Sequence, residues 1–182
     1  MAPRYRCRCT DHPGVAAGDA LHPEERKMNT ANHEEARIRE LTEAFVAAVG
    51  AKDLDRIMAG YADDVIAFDA VGELQFKGAQ LYREHWQRCL SFCQGEGLFE
   101  IHDMDIQATG DLAFGHFLSH CGGPNEQGEM QTCWMRGTRC WRKQGGEWKV
   151  VHEHFSAPFD MQSGAVQFNL QPESGATSRE HA

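Results

Sequence analysis

Five polar residues of this chain have the types and spacing for acid–base or anion-binding chemistry: Asp69, His152, His154, Arg136 and Arg139. The two histidines are two apart in the run EWKVVHEHFS. Strict alternation there puts Trp148, Val150, His152, His154 and Ser156 on one face, with Lys149, Val151, Glu153 and Phe155 on the other. Paired imidazoles on one face suit proton transfer, or metal ligation with a carboxylate such as Asp69; hydrogen-bonded structural histidines are the other possibility. No metal is expected. Asp69 shares the face of Val65, Ala67 and Val71, where a carboxylate drawn away from water would serve as a general base, unless it ends the strand in solvent. Arg136 and Arg139 lie in an otherwise apolar or neutral strand, flanked by Trp134 and Trp141, and are of opposite parity, so at most one faces a pocket without a bulge. A guanidinium there would clamp a ligand carboxylate beside Trp134, or form a cross-strand ion pair with Glu153 or Glu129. His102, His116 and His120 are further candidates whose facing the pattern leaves open.

The elements that must position these residues follow from periodicity. Two period-2 runs flank Gln144-Gly145-Gly146-Glu147, the mark of a β-hairpin over 134–158. Upstream, Asn32 with Glu35 forms a capping-box pattern, followed by Ile38, Leu41, Phe45 and Ala48 at helical spacing and a stop at Gly50. Asp53 caps a second short helix carrying Leu54, Ile57 and Met58. Residues 65–71 read as a strand, and 78–93 as a third helix with Leu81, Trp86, Cys89 and Leu90 or Cys93 inward. From 98 onward the chain reads as strands. In 98–108 the apolar parity switches between Ile101 and Met104, which predicts a bulge near His102-Asp103. The order implies an α+β fold: a strongly bent antiparallel sheet wrapped around N-terminal helices, with a pocket between them. Residues 1–29 are expected to be a disordered leader, 30–162 the domain and 163–182 a mobile tail.

Composition narrows the classes. The 182 residues suit one domain, and a net charge of -9 argues against a nucleic-acid surface. No apolar run reaches the roughly 18 residues of a membrane span. Seven scattered cysteines read as reduced thiols of a cytoplasmic protein, and Cys7-x-Cys9 with His12 lacks a second ligand pair for a metal knuckle. No redox-cofactor motif is present, so no cofactor is expected.

Two segments carry a family resemblance: AFVAAVGAKDLDRIMAGYADDVIAFDAVG, and the later set Thr138-Arg139-Cys140-Trp141, Gly146-Glu147-Trp148 and Val151-His152-Glu153-His154-Phe155-Ser156. They resemble the cone-shaped superfamily of nuclear transport factor 2, ketosteroid isomerase and SnoaL-like polyketide cyclases, and in particular the association domain of calcium/calmodulin-dependent protein kinase II. The resemblance implies a cone-shaped α+β fold with a small-molecule pocket, and the outer sheet face, bearing Val, Trp and Phe, suggests a homodimer. The resemblance places Asp69 at the isomerases' general base and Arg139 in the association domain's carboxylate-binding cavity, whose other arginines are replaced here by Leu118 and Phe155. Phe45 stands where the isomerases have an oxyanion-binding tyrosine, and no aspartate occupies 130–142, so steroid isomerisation is not implied. Two functions remain. One is a cofactor-independent lyase, isomerase or cyclase acting on a small carbonyl or carboxylate compound. The other is a non-catalytic oligomeric module that binds a small acid or a protein partner.

Overall fold

The computed structural model describes residues 23–92 and 95–172. Three helices and six strands follow in the order α1 (Pro23–Gly50), α2 (Leu54–Ala59), β1 (Tyr61–Phe68), β2 (Phe76–Lys77), α3 (Ala79–Phe92), β3 (Leu98–Thr109), β4 (Leu112–Pro124), β5 (Met130–Gln144) and β6 (Glu147–Ser156). The strands form one curled, unclosed sheet in the order β2-β1-β6-β5-β4-β3, and the chain is α+β as expected.

Helix α1 begins at Pro23, so the expected start at Asn32 falls inside it. Glu24 and Glu25 in its first turn complement the helix dipole. Glu35 does not close a capping box; it accepts from the Ala108 backbone N–H at 3.3 Å. Its neighbour Glu34 takes both Lys143 Nζ and Trp148 Nε1 at 2.6 Å, which pins the helix across the sheet. Of the expected leader and tail, residues 1–22 and 173–182 lie outside the described residues.

The α2 cap is as expected: the Asp53 carboxylate accepts from Arg56 N–H at 3.1 Å. The hairpin turn is also as expected, with Gly145 and Gly146 at φ 59° and 88°, the positive values that a two-residue turn requires. In β3 the register shifts between His102 and Asp105, and Asp103 takes φ 50°, so the bulge lies where the parity switch placed it.

Three features differ from the expectation. Strand β6 pairs with β1 in parallel, which joins β1 and β2 to the later strands and makes the topology more than a meander. A second bulge interrupts β6: Trp141 pairs with Val150 but Cys140 with His152, leaving Val151 as the extra residue. Third, the buried residues of α3 are Tyr82, His85 and Trp86, whereas Leu81 is 51% exposed. Trp86, Cys89 and Leu90 face inward as expected, and the stripe takes in a tyrosine and a histidine in place of Leu81.

The core lies between the concave face and the helices. Phe45 of α1, Tyr82 and Trp86 of α3, Ile106 of β3 and Trp141 of β5 meet there. Phe45 sits at its centre, edge-on to Tyr61, Trp86 and Phe99 at 5.7–6.1 Å between ring centres. Such aromatic pairs add about 0.5–1.5 kcal/mol each beyond their area. Gly137 and Phe117 pack on the same face; a methyl group at Gly137 would stand 2.2 Å from the Phe117 ring.

Candidate active site

The bulge at Val151 decides which side chains of β6 enter the interior. Trp148 and Val150 point inward; one residue later the alternation resets, and Glu153 and Phe155 take the inner face. His152 and His154, expected inward with Asp69, therefore stand on the outer face. His152 Nδ1–H donates to the Ile66 carbonyl at 2.8 Å, and the Phe68 ring packs against both histidines. This corrects the expected common face. A one-residue insertion inverts every later side chain of a strand.

Asp69 does face inward, one residue past the end of β1. Its Oδ1 accepts from Val71 N–H at 3.0 Å, fixing the carboxylate in a tight turn. Its imidazole partner comes from helix α3: His85 Nε2 lies 3.2 Å from Asp69 Oδ2. Both side chains are largely shielded, at 4% and 13% exposure. Burial by itself lowers the His85 pKa, but hydrogen bonding to Asp69 and Cys89 and the charge of Asp69 outweigh it, raising the value from 6.5 to about 9. The His85 ring is thus held as the imidazolium at neutral pH. Cys89, one turn further along α3, holds its Sγ 3.4 Å from His85 Nε2.

A second ion pair lies deeper. Arg139 and Glu153 are cross-strand partners on β5 and β6, both fully buried, and the Arg139 Nε–H donates to Glu153 Oε2. The guanidinium also stacks over Phe45 at 3.9 Å. Tyr61 and Tyr82 direct their hydroxyls at Glu153 Oε1, at 2.9 and 2.6 Å. Burial and the Glu153 charge push both phenols well above the usual tyrosine range, so both stay protonated donors. Tyr82 Oη is also 3.2 Å from Asp69 Oδ2 and links the two pairs. The chain Arg139–Glu153–Tyr82–Asp69–His85 holds two positive and two negative groups, so it is neutral overall and tolerable in a low-dielectric interior.

A cavity of about 370 Å³ opens beside the outer end of this chain. Asp69, His85 and Cys89 line one wall, with Trp86, Phe99 and Phe155 among the apolar remainder. Polar groups gathered at one point of an apolar cleft are the usual form of a small-molecule site.

The other expected site residues are placed elsewhere. Arg139 faces inward and Arg136 outward, in keeping with their opposite parity, but the Arg139 Nε is committed to Glu153 and its side chain is not part of the cavity wall. Trp134 lies on the outer face, stacked on His120 at 4.4 Å. Sequence reasoning missed His85 and Tyr82. The signal was present: positions 82, 85, 86 and 89 follow the i, i+3, i+4, i+7 spacing of a buried helix stripe.

The comparisons agree with this architecture. Residues 38–160 match the family model described as a SnoaL-like domain. An NTF2-like protein of unknown function from Pseudomonas putida KT2440 is 44% identical, with a TM-score of 0.73 over 78% of this chain and 99% of that one. The association domain of C. elegans CaMKII is similar in fold, at 18% identity and TM-score 0.58 over 70% of this chain and 98% of that one. An NTF2-like superfamily protein from Salmonella enterica serovar Typhimurium gives 17% identity and TM-score 0.62 over 71% and 94%. None of the curated proteins compared matches the chain.

Proposed function

The chain belongs to the SnoaL-like domain family, and we propose that its cavity binds a small, partly apolar carbonyl or carboxylate compound and performs cofactor-independent acid–base chemistry on it, as a lyase, isomerase or cyclase. The observation that carries this is the Asp69–His85 pair at 3.2 Å on the wall of an otherwise apolar cavity. Asp69 would accept a proton from carbon. Its geometry is set by Val71 N–H on one oxygen and by Tyr82 and His85 on the other. The His85 imidazolium would supply positive charge and a proton to the oxygen on which negative charge develops. His85 takes the proton-shuttle role expected of His152 or His154, because those two lie on the outer face.

Solvent exchange is the direct test. In deuterated water the protein should promote α-deuteration of a cavity-sized ketone such as acetophenone, and Asp69→Asn and His85→Gln should each abolish it. Exchange that persists in both variants would remove the pair from the chemistry.

A second reading, the oligomeric binding module, is favoured by the outer face of the sheet. Ile66, Phe68, Leu112 and Phe114 are 38–57% exposed there, an apolar surface that a second copy of the chain would cover. A symmetric dimer is compatible with either function.

A further inference from the structure

On the outer face, at the β3 edge of the sheet, three potential ligands converge that the cavity chemistry does not use. Glu100 and His102 are two apart on β3, and Glu100 is the cross-strand partner of His120 on β4. Glu100 Oε2 lies 3.0 Å from His102 Nε2 and 3.3 Å from His120 Nδ1, and the three ligand atoms all fall within 4.8 Å of one another. We propose that Glu100, His102 and His120 form a binding site for a divalent transition-metal ion of the zinc class.

The geometry suits this. Metal–ligand bonds of about 2.0–2.1 Å at tetrahedral angles put neighbouring ligand atoms roughly 3.3 Å apart. Two of the three edges, at 3.0 and 3.3 Å, are already close to that length, and the third is no longer than 4.8 Å. The donor set, two imidazole nitrogens and one carboxylate oxygen, is the borderline type that selects zinc, nickel or copper over calcium and magnesium.

The rings are held from behind. Trp134 on β5 is the cross-strand partner of His120 and stacks on it with planes 3° apart, while its ring centre is 5.0 Å from that of His102. The indole is itself tied down, donating from Nε1 to Gln171 Oε1 at 3.2 Å. The bulge after His102 belongs to the same construction, because the register resumes only at Asp105. Exposure of 44% at His102 and 48% at Glu100 leaves the remaining coordination positions open to water. A carboxylate between two histidines also gains a simple hydrogen-bonded cluster; a metal replaces those contacts by stronger ones.

The test is titration of the full chain, stripped with chelator, by zinc chloride in a calorimeter and by cobalt(II) and copper(II) optically. One-to-one binding is expected, with a cobalt spectrum free of thiolate charge-transfer bands. Losing even an outer-shell partner of a metal site costs about 10–100-fold in affinity, so His102→Ala, His120→Ala and Glu100→Gln should each weaken binding at least tenfold with unchanged circular dichroism. Copper should quench the indole stacked on His120, and Trp134→Phe should lose that quenching while still binding the ion. Absence of binding at millimolar zinc overturns the proposal. So does equal affinity in the three ligand variants, or a thiolate band that places the ion on cysteines.

Discussion

Replacing Asp69 by asparagine should remove most of the pH dependence that His85 gives to stability. In the folded protein His85 is raised from 6.5 to about 9, with burial lowering it and the contacts to Asp69 and Cys89 more than compensating. The folded state therefore holds a proton that the unfolded chain releases. The stabilisation is complete below the unfolded value of about 6.5 and drains away as pH rises through about 9. At about 1.36 kcal/mol per pH unit, the interval corresponds to about 3 kcal/mol. His85 is only 4% exposed, so little of this is lost to solvent screening. Asparagine keeps the shape of the carboxylate but not its charge. The contributions of Asp69 are then lost, burial is opposed only by Cys89, and the folded-state value falls from about 9 toward 6.5, so most of the pH dependence disappears. The assay is a histidine-ring NMR titration from about pH 5 to about pH 10, paired with urea denaturation along the same series. A wild-type His85 titrating near its ordinary value, or one that the substitution leaves unmoved, would refute the reasoning.

Further outcomes follow from the same interior. Arg139→Met should destabilise by about 3–5 kcal/mol in urea melts, because it leaves the Glu153 carboxylate buried without its cation; a change under about 1 kcal/mol would mean that the tyrosine hydroxyls alone hold the charge. Gly137→Ala should cost about 1–3 kcal/mol, since the added methyl group meets the Phe117 ring at 2.2 Å and the core must shift. His152→Ala and His154→Ala should leave α-proton exchange in the cavity unchanged, because both side chains lie on the outer face; loss of exchange in either would place them at the site after all. Light scattering at micromolar concentration should give the mass of a dimer, and Phe114→Glu, which puts a charge on the exposed face, should return it to monomer.

Much of the architecture was legible because it rests on periodicity and turn chemistry. The Asp53 cap, the Gly145-Gly146 turn and the His102-Asp103 bulge are each specified by residues within a few positions. The candidate site was only half legible. Asp69 faces inward as its alternation implied, and Arg139 meets Glu153, one of the two partners considered. The Val151 bulge left no comparable mark: VVHEHF alternates equally well in either register, and only pairing with β5 and β1 selects one. In α3 the differences at Leu81, Tyr82 and His85 have another origin. Tyr82 and His85 look polar in sequence, yet Asp69 and Glu153, both distant in the chain, supply the partners that make their burial favourable. The early start of α1 at Pro23 likewise overrides a plausible cap at Asn32.

The most direct test of the proposed chemistry is a crystal structure with acetophenone or phenylacetate bound. The ligand should lie against Trp86 and Phe99, with its carbonyl or carboxylate oxygen within about 3 Å of the His85 ring and its α-carbon beside Asp69. A ligand ordered instead on the outer face beside His154, or one whose oxygen points away from His85 toward the cavity mouth, would contradict it.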